Sequence, residues 1–139
     1  MSQVAPQLVF EVLAEHKIVV LCHGPDDASA QEWTRWVELV RSIRDDHTRY
    51  LVYSTGGRPN RAQQAEISEV VRGRAHRVAV ISPSTAASFM VSVFALVTPG
   101  IRLYTPTQFD KALGFLECTP VEAAAIRGAI DRMQAQLNS

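Results

Sequence analysis

The fold is decided by residues 77–104, which read RVAVISPSTAASFMVSVFALVTPGIRLY. Residues 78–81 are apolar without alternation, which is typical of a strand that is covered on both faces. A helix is predicted over 86–97, because hydroxyl residues before it can cap its first turn and Pro99-Gly100 ends it. Apolar strand residues then resume. The stretch therefore predicts a strand–helix–strand unit of an α/β fold.

The predicted helix at 86–97 is apolar almost all round, although a helix that covers one sheet face needs only one apolar stripe. A neighbouring helix could bury it. Alternatively, the helix forms an interface through Phe89, Met90, Val93 and Phe94. The other side of this interface would be a partner protein or a second copy, and a second copy would make the protein a homodimer. A membrane span is not expected, because it would need about 20 apolar residues.

The other elements are predicted from hydrophobic periodicity and from helix caps. Strands are predicted at 8–13, 18–22, 50–53, 78–81 and 101–104, and the first two form a hairpin. Helices are predicted after Ser29, at about 60–72, at 86–97, after Thr105 and after Thr119. The order ββαβαβαβαα predicts an α/β protein in which helices pack against a mixed β-sheet.

Two helices have marked apolar stripes. Trp33 and Trp36 fall on one face of the first helix, and we interpret them as core anchors under the sheet. The last helix, at about 120–137, has a stripe that includes Ile126 and Met133. This stripe could dock on the domain or reach a second copy.

Composition narrows the class of protein. The 139 residues predict a single domain, 1–139. Lys plus Arg and Asp plus Glu number 14 each, and the resulting zero net charge argues against a nucleic-acid partner. The first seven residues do not resemble a signal peptide, so we expect a cytoplasmic protein with reduced Cys22 and Cys118.

Residues 77–116, RVAVISPSTAASFMVSVFALVTPGIRLYTPTQFDKALGFL, resemble the SpoIIAA-like group of the STAS superfamily, also called STAS/SEC14-like. The order of elements fits from about Leu8 to Leu116, and the last helix is additional to it. The resemblance implies a STAS-like fold and a non-catalytic signalling domain that acts through protein–protein contacts. In anti-sigma-factor antagonists of this type, a serine or threonine after the third strand is phosphorylated. The matching position here implies Ser54 or Thr55, but without the family's acidic residue and with the additional segment 58–62.

The loop at 54–61 is the best candidate for a functional site. Gly56 and Gly57 allow consecutive N–H groups to converge, and the following helix points its positive end at the loop. Arg58 and Arg61 add two cations to the hydroxyls of Ser54 and Thr55. The combination suits an anionic ligand, a phosphorylated side chain or an acidic partner. The alternative is a solvated turn in which the glycines only satisfy backbone geometry.

No catalytic constellation is apparent. Cys22 and His23 are neighbours in a strand, so their side chains point to opposite faces. The four histidines lack ligand spacing, and we expect no metal and no cofactor. We therefore expect a regulatory domain with a protein partner. The alternatives are a small-ligand or lipid-binding module of the SEC14-like kind and, third, an enzyme acting on a phosphorylated compound.

Overall fold

The computed structural model describes residues 6–57, 59–74, 76–83 and 100–138. The strands in these ranges are β1 (Leu8–Leu13), β2 (Ile18–His23), β3 (Arg49–Ser54), β4 (Arg77–Ile81) and β5 (Ile101–Tyr104). The α-helices are α1 (Ala30–Ser42), α2 (Arg61–Val71), α3 (Phe109–Phe115) and α4 (Pro120–Leu137). Short 3₁₀ turns occupy Ala14–His16 and Pro106–Gln108.

The helix predicted at 86–97 lies outside the described residues. The same holds for the interface residues predicted on it, Phe89, Met90, Val93 and Phe94. Self-association through that segment stays a prediction.

The strands of the described ranges form one five-stranded sheet in the order β1-β2-β3-β4-β5. β1 pairs with β2 antiparallel, and every other neighbouring pair is parallel. The β1–β2 hairpin turns through the first 3₁₀ segment and Lys17, whose φ of 54° is left-handed. The predicted α/β class with a mixed sheet is confirmed.

Helices cover both faces of the sheet, so β2 is buried along its whole length. Val19 and Leu21 point to the face covered by α1 and α2. The alternating residues of β2, Cys22 among them, point to the face covered by α3 and α4. Trp33 and Trp36 are each 5% exposed and pack on the first of these faces. The prediction that they are core anchors is confirmed.

Three of the predicted helix starts are reciprocal capping boxes. The pairs are Ser29 with Glu32, Thr105 with Gln108, and Thr119 with Glu122. In the first and third pairs, both side chains satisfy backbone N–H groups that the first helical turn leaves unpaired. At Thr105 the Gln108 side chain accepts from the Thr105 N–H at 3.0 Å. Proline follows the cap residue in the second and third cases, where its missing N–H carries no penalty.

The apolar stripe of α4 docks on the sheet of its own chain. Ile126, Ala129 and Met133 are fully buried, and they cluster with Ile18 and Val20 of β2. Of the two roles left open for this stripe, docking on the domain is the observed one. Within the described ranges, no helix combines the length and apolarity needed to cross a bilayer.

Arg49, the first residue of β3, joins the start of α4 to the amino-terminal edge of the sheet. Its Nη2 lies 2.7 Å from Glu122 Oε2, and its Nη1 lies 3.2 Å from Glu122 Oε1. The guanidinium also donates to the carbonyl oxygens of His16 and Leu116, at 2.9 Å and 3.0 Å. The hydrogen bond from Arg49 is the main reason that the pKa of Glu122 is lowered to about 2. Because both side chains are largely buried, removing one of them should cost more stability than breaking an exposed pair does.

Glu122→Gln should preserve the capping box of α4, because glutamine also serves at that position, while it removes the charge. We expect the free energy of unfolding to fall by about 1.5–3 kcal/mol near neutral pH, the usual contribution of a hydrogen bond to a charged group. The folded-state pKa of Glu122 is depressed, so this stability is present above its ordinary pKa of 4.5 and is lost as the pH falls toward 2. Urea denaturation at several pH values measures the difference.

Asp110→Asn is the control, because it breaks an exposed ion pair with Arg127. It should cost less than about 1 kcal/mol, as exposed pairs do. Equal losses of unfolding free energy from the two variants would contradict the role given to Arg49 and Glu122. A loss from Glu122→Gln that is as large near pH 2 as at neutral pH would also contradict it.

Candidate functional site

The predicted functional loop begins where the carboxyl ends of β2 and β3 lie side by side. The parallel register places His23, the last residue of β2, beside Ser54, the last residue of β3. Binding sites of open α/β sheets usually lie outside the carboxyl ends of the strands. The loop therefore occupies the sheet edge at which this architecture most often presents a site.

Hydrogen bonds hold residues 54–57 against the end of β2. The Thr55 N–H donates to the carbonyl oxygen of His23 at 3.0 Å, and Thr55 Oγ1 donates to the same oxygen at 3.3 Å. The Gly57 N–H donates to the carbonyl oxygen of Gly24 at 2.9 Å. Ser54 Oγ closes the turn by donating to the Gly57 carbonyl oxygen at 2.6 Å. The loop is an extension of the hydrogen-bonded sheet edge rather than a turn held only by solvent.

The two glycines do not form the predicted anion site. The Gly56 N–H donates to Ser54 Oγ at 3.1 Å, and the Gly57 N–H is taken by Gly24. Both donors are therefore satisfied inside the protein and do not converge on a ligand. Gly56 has a φ of 141°, which other residues rarely adopt, so glycine is needed there for backbone geometry.

His23 and Gly57 are packed in direct contact. A Cβ atom at position 57 would collide with the His23 ring and with the Gly24 carbonyl oxygen, so the approach requires glycine. His23 is 4% exposed, and its Nδ1 lies 3.0 Å from the Gly24 carbonyl oxygen. Since a carbonyl only accepts, Nδ1 carries the proton in the neutral ring. His23 Nε2 is buried, and it has no hydrogen-bond partner in the part of the chain that the structure describes.

The two candidate hydroxyls differ in accessibility. Ser54 is 5% exposed, and its hydroxyl both donates to Gly57 and accepts from Gly56. Thr55 is exposed, and its one hydrogen bond through Oγ1 is the long contact to His23. A modifying enzyme would reach Thr55 directly but would reach Ser54 only after the turn had opened. Ser54 thus shapes the loop from inside, and Thr55 lies at its exposed surface.

The start of α2 supplies the positive end that the sequence predicts. Asn60 caps the helix, and it forms a reciprocal capping box with Gln63. No acidic residue occupies the first turn, and Arg61 is exposed. The capping box satisfies the N–H groups of both Asn60 and Gln63. Arg58, the other predicted cation, lies outside the described residues.

A second layer of contacts holds the end of β2 in place. The Gly24 N–H donates to the Gln7 carbonyl oxygen at 2.8 Å. Glu32 Oε2 accepts from the N–H groups of Gln7 and Leu8, both at 2.9 Å. Burial raises the pKa of Glu32, but hydrogen bonds from Ser29, Gln7 and Leu8 outweigh it and the net pKa is lowered. A charged Glu32 is therefore part of the support behind the loop.

Four residues of this site were not predicted: Gln7, His23 as a loop contact, Gly24 and Asn60. The spacing of Asn60 and Gln63 was a readable capping-box signal. The other three depend on which strands are neighbours, so their contacts with the loop could not be read from local sequence.

The described residues hold neither an activated thiol nor a metal cluster. Cys22 is buried on the sheet face opposite His23, and burial is the main reason that its pKa is raised to about 12. The thiol is therefore protonated at neutral pH, which makes it a poor nucleophile. Cys118 is also a free thiol with a pKa raised by burial. In the described part of the chain, no three His, Cys, Asp or Glu residues are placed to hold a metal ion.

A cleft of about 590 Å³ lies at the opposite edge of the sheet, at the amino ends of β2, β3 and β4. Its lining includes His16, Lys17, His47, Arg49, Arg77 and Glu117. Arg49 is held by Glu122 and backbone carbonyls, and Lys17 pairs with Asp45. The cleft is polar, and much of its positive charge is already engaged within the chain.

Comparisons of the chain with protein-family models, with curated proteins and with solved structures found no match.

The contact between Gly57 and His23 predicts a sharp sensitivity to one methyl group. Gly57→Ala should displace the loop and lower the free energy of unfolding by about 1–3 kcal/mol, the usual effect of overpacking. Gly114→Ala is the control, because nothing lies within 4 Å of the added Cβ in α3. That variant should be neutral or stabilising by up to about 1 kcal/mol, since alanine favours helix. Urea denaturation compares them, and equal stabilities would refute the contact.

Proposed function

We propose that this chain is a non-catalytic regulatory domain of the STAS-like type that acts through protein–protein contacts. We propose further that its contact surface comprises exposed Thr55, Arg61 and the first turn of α2. The partner would present an acidic or phosphorylated group there. The observation that supports this most directly is the bonding of residues 54–57 to the end of β2, which holds Thr55 outward in a fixed turn.

The order of elements supports the STAS-like assignment. The described sheet begins with a β-hairpin and continues with parallel strands in sequential order, as the resemblance implies. α4 is additional to that pattern, and it packs on β1 and β2 of the sheet. The carboxyl edge of β3, at which the family resemblance places the modified residue, is the edge that holds Thr55.

The charge balance of the surface supports an anionic contact. A helix N-terminus contributes about 0.3–1 kcal/mol at an exposed site, which is too little for tight binding by itself. A well-made hydrogen bond to a charged group adds about 1.5–3 kcal/mol. Arg61 has no ion-pair partner among the described residues, so it is available for such a bond. Arginine also suits carboxylate and phosphate groups because it can donate two parallel bonds.

Arg61→Ala should weaken partner binding by roughly tenfold to a hundredfold, the equivalent of one charge-assisted hydrogen bond. Thr55→Asp should also weaken it, because it places a negative charge where the partner's own charge would bind. The partner is first captured from the native host with the wild-type chain. Its affinity for each variant is then measured at two salt concentrations, and Arg61→Ala should reduce the salt dependence.

Arg72→Ala is the matched control, because it removes the same charge at the far end of α2. Its affinity should equal that of the wild type. Unchanged affinity for Arg61→Ala and Thr55→Asp would remove this loop as the contact surface. Equal losses in all three variants would indicate a general effect of charge.

The polar cleft supports a second candidate, a module that binds a small ligand. Its lining of histidine, lysine and arginine side chains suits a polar ligand and not a lipid chain. Native mass spectrometry of the purified protein separates the two candidates. A retained small molecule favours the binding module, and a clean chain mass favours the regulatory domain.

A further inference from the structure

His23 links the proposed contact surface to the sheet in three ways. Its carbonyl oxygen accepts from both the N–H and the hydroxyl of Thr55. Its ring packs against Gly57 so closely that no Cβ fits between them. Its Nδ1–H donates to the Gly24 carbonyl oxygen, which also accepts the Gly57 N–H. The bonded turn and the His23 ring therefore form one packed unit.

This arrangement fits only the neutral form of the ring. Protonation would place an N–H and a positive charge at Nε2, which is buried and has no acceptor among residues 6–57, 59–74, 76–83 and 100–138. A buried charge without a partner costs several kcal/mol, and moving the ring or the loop toward solvent is the available relief. Burial accordingly lowers the pKa of His23, despite opposing effects from the Gly24 hydrogen bond, Glu32 and Asp27.

The charged groups around the ring do not offer a direct counterion. Glu32 in the first turn of α1 and Asp27 in the β2–α1 loop act at a distance, and Glu32 is already bonded to Gln7, Leu8 and Ser29. The neighbouring strands place uncharged Leu8 and Ser54 opposite His23. Among the described residues, no acidic group hydrogen-bonds Nε2.

We propose that His23 is a proton-controlled latch for the 54–57 loop, which the neutral ring holds closed and the protonated ring releases. The closed loop is fully stable above the ordinary histidine pKa near 6.5 and loses stability as the pH falls below it. Release would withdraw Thr55 from its fixed position. The consequence for binding rests on the proposed function, but the conformational change does not.

His76 provides a matched control within the same chain. It is 3% exposed, and its Nδ1 lies 3.2 Å from the Thr48 carbonyl oxygen. Its Nε2 is also buried and has no partner among the described residues. It lies just before β4, at the amino-terminal edge of the sheet. Asparagine at either position can preserve the Nδ1-type donor but does not titrate.

The test is an NMR titration of the full chain from about pH 8 to pH 5, across the range in which histidines ionise. The amide signals of Thr55 and Gly57 should shift with the same midpoint as the His23 ring, and this midpoint should lie below the ordinary histidine pKa. His23→Asn should abolish the step in the two amides, whereas His76→Asn should keep it.

Three results would overturn the latch. The His23 ring could protonate while both amides stay unchanged, the amide step could persist in His23→Asn, or the ring could stay neutral until the whole chain unfolds. If His23→Asn does not fold, the comparison of the ring midpoint with the amide midpoints in the wild type decides whether the latch exists.

The functional consequence is measured separately. Affinity for the captured partner should fall as the pH drops below both pKa values, by at most about tenfold for each unit by which closing the loop lowers the pKa of the ring. A latch without a pH effect on binding would contradict the proposed function of the loop and leave the conformational switch in place. Any of the three contrary titration results would overturn the latch and leave the proposed contact surface in place.

Discussion

The parallel pairing of β2 with β3 is the constraint on which the contacts at both ends of these strands depend. At the carboxyl ends it places His23 beside Ser54, so the turn after β3 can bond to the end of β2. At the amino ends it places Arg49 beside Ile18, where the guanidinium reaches His16 and Glu122. A shift of one residue would turn each side chain to the opposite face and break both arrangements.

The two edges use their charged residues differently. At the amino edge, Arg49 is held by Glu122, and Arg77 donates to the Phe115 carbonyl oxygen at 2.8 Å. These bonds join α3 and α4 to the sheet and serve the fold. At the carboxyl edge, the turn is built from uncharged contacts and Arg61 stands exposed at the start of α2. This difference is the physical reason that we propose, for the carboxyl ends of the strands, a contact with a partner.

The sequence predicted those features that depend on local chemistry. Apolar runs located the strands, and the Ser29, Thr105 and Thr119 boxes located helix starts, because a cap and its helix are neighbours in the chain. The sequence could not decide where α4 docks, because the same apolar stripe suits the sheet of its own chain or a second copy. The contact of His23 with Gly57 was missed because it joins residues 34 positions apart through strand pairing. The acceptor of the Gly57 N–H, the Gly24 carbonyl oxygen just after β2, was not predicted for the same reason.

The central claim is that residues 54–57 are a bonded part of the sheet edge. Residue-resolved hydrogen exchange of the full chain at neutral pH tests it most directly. The Thr55 and Gly57 amides should be protected as strongly as the β-strand amides of Cys22 and Leu51. Exchange at the rate of Glu15, in the exposed hairpin turn, would show that the loop is solvated and would contradict the account.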